Sequence, residues 1–298
     1  MAARLPLLLP ALAAAGLAIA GEPRVIPALY PEGPLWQGER LYFLEMHADR
    51  VMVVAPAGTS AFFVQKGCGP TAIAPYGEGF LVLCHLGTRV VAVDAVGREH
   101  RRWIRDDSGA PLMDPNDASA DGSGGVYFSD PGPFTRNSRP QGWVMHLSAS
   151  GVLRRVAGPL WYPNGVHVAG DRLFVSEHLS RRVLRYEIEA PGELGEAQTF
   201  ADLTRLSRPA RYRQAYALVG PDGLEFGPDG NLYVAIYGEG RLLCLSPDGR
   251  LLGMTDMPAR YLTNVAFGAP GVAVTGAFDN RTRRSPGEVR ILPALPLN

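Results

Sequence analysis

One phrase recurs along the chain. Glu32-Gly-Pro-Leu-Trp36, Thr71-Ala-Ile-Ala74, Asn116-Asp-Ala-Ser119, Asn164-Gly-Val-His167, Asp222-Gly-Leu-Glu-Phe226 and Thr263-Asn-Val-Ala-Phe267 each precede a strand-length apolar run. The runs are Leu41-Tyr-Phe-Leu44, Phe80-Leu-Val-Leu83, Val126-Tyr-Phe128, Leu173-Phe-Val175, Leu232-Tyr-Val-Ala235 and Val272-Ala-Val274. The first residues of the phrases are 39, 45, 48, 58 and 41 positions apart. No long amphipathic helix interrupts them beyond the first twenty residues. A repeat of about 40–50 residues in an all-β sequence marks a propeller of four-stranded blades. Turn residues are plentiful enough for that design, with 35 Gly and 26 Pro among 298 residues.

The first unit shows the expected path. Strand A lies at Gly33-Pro-Leu-Trp36, a turn at Gln37-Gly38, strand B at Leu41 to Met46, strand C at Val51 to Val54 and strand D at Phe62 to Gln65. The last unit lacks a strand D after Val289-Arg-Ile-Leu292, and Arg24-Val-Ile-Pro-Ala-Leu29 is available to supply it. The expectation is an all-β, six-bladed β-propeller whose ring is closed by the N-terminal strand, a closure that leaves no open sheet edge.

The opening segment has a different character. Arg4 precedes the apolar, Pro-interrupted stretch Leu5 to Leu17, and Ala18-Ile19-Ala20 forms a small-residue cleavage pattern. That reads as a signal peptide over residues 1–20, cleaved after Ala20, with one propeller domain over 21–298 and a periplasmic or secreted location. Lys+Arg and Asp+Glu both total 29, which removes the field expected for a nucleic-acid partner or for membrane attachment of the mature form. Oligomeric state is not written in the sequence. Of three cysteines, Cys84 and Cys244 sit in apolar runs and read as small buried residues. Cys68 precedes a turn, and a Cys68 to Cys84 bridge is an open alternative.

The strand path puts the first residues of the phrases at the mouth of one central channel: Glu32, Thr71, Asn116, Asn164, Asp222 and Thr263. All carry oxygen and none is cationic, which suits a hard divalent ion such as Ca²⁺, with Mg²⁺ or Mn²⁺ as substitutes and Zn²⁺ as a further candidate. Two clustered carboxylates also repel unless a cation or proton is shared. Three Pro-Asp-Gly turns occur, but Asp229 and Asp248 fall on the far face and only Asp222 opens a strand A. The B–C loops should supply the rim, including His47, His85, Asp130 to Phe134, His178, Tyr237 and Phe278 to Asn280. The interval of 58 contains an insertion at 203–219, read as a surface loop or as a lid over the channel.

These residues together resemble the senescence marker protein/gluconolactonase/luciferin-regenerating enzyme family of six-bladed propellers. The resemblance rests on Glu32-Gly-Pro-Leu-Trp36, Pro115-Asn-Asp117 with Val126-Tyr-Phe-Ser-Asp-Pro131, Pro163-Asn-Gly165 and Pro221-Asp-Gly223. It implies metal ligands Glu32, Asn164 and Asp222, with Asp222 also the catalytic base. It further implies that Asn116 contacts substrate or metal, and the strand path adds His47, His85, His178 and Tyr237 on the rim as candidate substrate contacts. Sugar-lactonase members carry an Arg two residues before the Asn, where this chain has Asp114. The implied activity is metal-dependent opening of a small lactone. The alternatives are hydrolysis of an organophosphate or aryl ester at the same centre, and a metal-stabilised propeller that binds a ligand without turnover.

Overall fold

The computed structural model describes residues 22–134, 139–204, 219–282, 284–293 and 295. The signal-peptide expectation and positions 205–218 of the insertion lie outside the described residues.

Short β-branched and aromatic runs separated by Gly-bearing turns form antiparallel sheets in chain order. The first comprises Pro31–Gln37, Arg40–Glu45, Arg50–Ala55 and Gly58–Val64. A second comprises Pro70–Tyr76, Gly79–Cys84, Arg89–Val93 and Glu99–Trp103, and a third Ala118–Ala120, Val126–Asp130, Gly142–Leu147 and Leu153–Leu160. Pro163–Ala169, Arg172–Glu177 and Arg182–Ala190 form the next sheet, with Gln198–Asp202 and the short Glu193–Leu194 both on its outer strand. An eight-stranded sheet holds Gly220–Phe226, Leu232–Tyr237, Arg241–Leu245 and Leu251–Asp256 together with Tyr261–Gly268, Gly271–Ala277, Pro286–Leu292 and Arg24–Leu29. Its two halves meet at the single pairing of Tyr237 with Tyr261. The chain is therefore all-β, a propeller-like arrangement of four-stranded blades.

Burial falls from the second strand of a blade outward. Leu41 to Glu45 are all buried, whereas Gly58–Val64 exposes five of its seven residues. Sheets pack face to face through their apolar rows. Tyr42, Leu44 and Val51 meet Ile73, Val82 and Val91 of the following sheet. Phe43 and Val54 on the other face meet Ala28, Ala273 and Val289. Removing a side chain such as Phe43 from water contributes about 1.5–3 kcal/mol.

A register shift recurs in five of the innermost strands, between Glu32 and Leu35, Pro70 and Ala72, Pro163 and Val166, Pro221 and Leu224, and Leu262 and Asn264. Such bulges bend a strand and re-aim its side chains. Each falls at or just after the residue that opens a phrase.

The structure corrects the reading of Cys84 as an unpaired core residue. Cys68 and Cys84 form a disulfide, and Cys244 alone is free and buried. Cys84 ends its strand where the chain turns back past Cys68, a proximity that the apolar run hid.

Candidate functional site

Two sequence pieces are built alike. Tyr30-Pro31-Glu32-Gly33 and Tyr162-Pro163-Asn164-Gly165 both start with a tyrosine at positive φ, 50° and 56°. That conformation costs a non-glycine residue about 1–3 kcal/mol and marks a place the fold over-determines. Buried carboxylates hold the approach from the preceding chain: Leu29 N donates to Glu45 Oε1 at 2.9 Å and Trp161 N to Glu177 Oε1 at 2.7 Å. The glycines answer to close backbone approach. A Cβ at Gly33 would lie 2.3 Å from the Thr71 carbonyl oxygen, and one at Gly165 2.3 Å from that of Asp222.

Hydroxyl groups fasten four of these joints between sheets. Ser129 Oγ accepts from Asp117 N at 3.0 Å and donates to the Asn164 carbonyl at 2.6 Å. Ser176 Oγ accepts from Gly165 N at 2.7 Å and donates to the Asp222 carbonyl at 2.6 Å. Thr263 Oγ1 donates to the Pro31 carbonyl at 2.7 Å and lies 2.8 Å from Thr275 Oγ1. Thr71 Oγ1 reaches the Pro115 carbonyl at 3.3 Å. The backbone at Glu32, Asn116, Asn164 and Asp222 is thus held by a neighbouring sheet.

The result is a pocket of about 170 Å³ lined by Glu32, Thr71, Asn164 and Asp222 from the inner strands, by Asn116 just before one, and by Met46, His85, Phe134, His178 and Tyr237 from the loops or strand ends facing them, with Tyr30 and Tyr162 between. Most of the expected residues meet here, but of the expected rim Asp130 to Pro133 and Phe278 to Asn280 are absent from the lining, as are Thr263 and His47. Thr263 is absent from the lining because its hydroxyl is turned to the Pro31 carbonyl. His47 is also absent; its ring packs on Tyr30 at 4.6 Å, behind the pocket wall. His85 and His178 line the pocket, with Nδ1 of each 3.1 Å from a carbonyl oxygen, of Asp114 and Pro221 respectively. Phe134, Tyr162 and Tyr237 surround the His178 ring at 5.3, 5.9 and 5.8 Å.

The electrostatics are those of crowded acids. Burial, then the charges of Asp222 and Asp117, pushes Glu32 well above the ordinary carboxylate range. Burial, then Asp117, does the same to Asp222, to which the Asn164 side chain hydrogen-bonds. The other end of that carboxamide, Asn164 Oδ1, is buried and finds no hydrogen-bond partner among the described residues. An orphaned buried acceptor costs about 1–3 kcal/mol. Two carboxylates and an unused carboxamide oxygen form an all-oxygen donor set suited to a hard divalent cation. Among the described residues no three His, Cys, Asp or Glu side chains converge as a metal cluster; here the third donor is an amide.

A second cavity, about 260 Å³, shares the inner strands and includes Asp117, Ser119, His167, Glu225 and Asn264. Burial pushes Asp117 up to about 7 and Glu225 up to about 8, and lowers His167 to about 4.

Tyr30, Tyr162 and Met46 line the pocket without having been singled out from the sequence. The repeated Tyr-Pro before Glu32 and Asn164 was the available signal for the tyrosines. The hydroxyl fasteners were also legible in principle, as Ser129, Ser176 and Thr275 occupy related places near the ends of their strands.

The family profile described as SMP-30/Gluconolactonase/LRE-like region matches residues 30–274. The chain belongs to this family. A 6-deoxy-6-sulfogluconolactonase of Pseudomonas putida is 26% identical over 275 residues, covering 90% of this chain and 89% of that protein. Among solved structures, a gluconolactonase of Xanthomonas campestris superposes with a TM-score of 0.69 at 23% identity, covering 93% of this chain and 91% of the other. A calcium-binding regucalcin of Agrobacterium tumefaciens gives 0.67 at 18% identity, covering 91% and 94%.

Proposed function

We propose that this protein is a divalent-metal-dependent hydrolase that opens a small lactone. The observation that carries the reading is the buried, unpartnered Asn164 Oδ1 beside Glu32 and Asp222. Glu32, Asn164 and Asp222 would hold the cation, calcium foremost. When bound, it supplies Lewis-acid polarisation of the lactone carbonyl. Asp222 then accepts the proton of the attacking water, a role that fits a carboxylate whose burial has raised its basicity. Asn116, held by donation from its backbone N to the Ser129 carbonyl at 2.9 Å, presents its amide to the substrate with His85, His178 and Tyr237. The lactonase name of the Pseudomonas relative supports the substrate class, and the calcium-binding name of the regucalcin supports the ion.

The same reading takes the scaffold as a closed ring of six blades. The eight-stranded sheet divides at the lone Tyr237 pairing into two sets of four, and Arg24–Leu29 pairs with Pro286–Leu292 as the outer strand of the last. The protein is further proposed to be exported after cleavage behind Ala20, leaving a single domain; the disulfide supports an oxidising compartment.

Acid release from a panel of aldonolactones and alkyl lactones, with and without Ca²⁺, Mg²⁺, Mn²⁺ or Zn²⁺, tests the proposal. Turnover should vanish with chelator and in Asp222→Asn. No turnover of any lactone by the metal-loaded protein refutes the hydrolase, and preference for phosphotriesters over every lactone refutes the substrate class.

A further inference from the structure

Two tyrosines in the pocket wall share one hydrogen bond and have a hydrogen to spare. Tyr30 and Tyr237 both line the pocket, and their hydroxyl oxygens are 2.8 Å apart. Asn280 Nδ2 lies 3.0 Å from the Tyr237 hydroxyl and can only donate to it. The two hydroxyls carry two hydrogens. Their mutual bond uses one, and Asn280 contributes its own. Among the described residues no other oxygen accepts the second O–H.

That surplus donor shares a wall with the acids, because Tyr30, Tyr237, Glu32 and Asp222 all line the one pocket. The positive φ of Tyr30 and the Asn280 contact fix the geometry from two sides.

We propose that the Tyr30–Tyr237 pair is the proton donor to the ring oxygen that departs as the lactone opens. The inference rests on the hydrolase reading, in which the carbonyl oxygen is already provided for and the leaving oxygen is the second place where negative charge develops. The water oxygen bonds to the acyl carbon while Asp222 takes the water proton. The acyl bond to the ring oxygen then breaks, the electron pair stays on that oxygen, and the surplus tyrosine proton moves onto it. The proton on Asp222 returns to the phenolate and resets the pair. The net change is addition of one water.

The leaving group separates this role from a packing role. An aliphatic alkoxide has a conjugate acid about as weak as water and needs the proton. A phenoxide, with a conjugate acid near 10, leaves largely without it. The kcat for an alkyl δ-lactone and for an aryl lactone is measured in the metal-loaded wild type, Tyr30→Phe, Tyr237→Phe and the double variant. In the double variant the alkyl-to-aryl ratio should fall about a hundredfold. Each single variant should show a smaller fall, because the remaining hydroxyl keeps its own hydrogen. An unchanged ratio in the double variant, with lactonase activity present, overturns the donor role alone. A wild type that opens neither lactone refutes the hydrolase reading and the donor with it. Neutron diffraction of the wild type gives a readout independent of turnover and of variant folding: one hydroxyl deuterium between the two oxygens and one directed into the pocket. Finding the second bonded to a protein acceptor overturns the proposal.

Discussion

Replacing Gly165 by alanine adds one methyl group at a close backbone joint of the site. The new Cβ would stand 2.3 Å from the Asp222 carbonyl oxygen and 2.9 Å from the Gly223 Cα, whereas ordinary contact begins near 3.4 Å. About 1 Å must open between two inner strands. The same joint holds two buried hydrogen bonds through Ser176 Oγ, from Gly165 N and to the Asp222 carbonyl. Overpacking of this kind costs about 1–3 kcal/mol, and a weakened buried hydrogen bond adds about 1 kcal/mol. At about 2–4 °C per kcal/mol for a chain of this size, the melting temperature should drop by roughly 4–16 °C. Moving Asp222 against Asn164 by about 1 Å should also lower turnover by about a hundredfold. Gly170→Ala is the control. Gly170 has φ +63° and nothing within 4 Å of a Cβ, so only backbone strain of about 1–2 kcal/mol is expected, with ion affinity unchanged. Thermal melts and calcium titration calorimetry on both variants decide the matter. If Gly165→Ala matches Gly170→Ala in stability and in calcium affinity, the close-approach argument is wrong.

Asp222→Asn should melt higher than wild type when both are metal-free at pH 8, since one of two crowded buried acids is gone, yet gain nothing from calcium; wild type at a hundred times its Kd should gain about 2.7 kcal/mol. Calorimetry with and without chelator checks both signs. Glu225, raised to about 8, holds its proton in the native state long after the unfolded chain has lost it near 4.5. Its contribution to the stability of the metal-free protein should therefore be lost as pH rises from about 4.5 through about 8, by about a few kcal/mol, with Asp117 adding a loss that ends near 7. His167, lowered to about 4, works in the opposite sense between about pH 4 and 6.5 and is silent above that; urea melts from about pH 6.5 to 8, with a shallower fall in Glu225→Gln, are the measurement. Reduction of the Cys68–Cys84 bridge, with a sequence separation of 16, should cost about 3 kcal/mol, seen as a lower melting point with dithiothreitol and matched by the double Cys→Ser variant.

Much of the architecture was legible because it repeats. Spacing of the six phrases located the inner strands, and with them the strand starts at Glu32, Asn164 and Asp222 that converge on one pocket. What single phrases could not convey was direction. Thr263 shares the position of Asp222 in the repeat, but its short hydroxyl is satisfied by a backbone carbonyl 2.7 Å away and does not reach the pocket. His47 shares a loop position with His85, but the 3₁₀ turn Met46–Ala48 leaves Met46 on the lining and His47 behind Tyr30. The Tyr30–Tyr237 pair joins residues 207 positions apart, and local pattern carries no information about such a contact. Cys84 was misjudged for a related reason. Apolar neighbours describe the strand that carries it and say nothing of the chain that passes beside it.

The hydroxyl fasteners grip carbonyl oxygens rather than side chains. Ser129, Ser176 and Thr263 would bind the backbone at 164, 222 and 31 whatever residue stood at the strand starts. The scaffold therefore works as a set of rigid mounts with exchangeable heads. Chemistry in the pocket can be rewritten by changing the residue at 32, 116, 164 or 222 while the joints between sheets stay intact. Changes to the serines, which do not line the pocket, would instead disturb every chemistry the mount could carry.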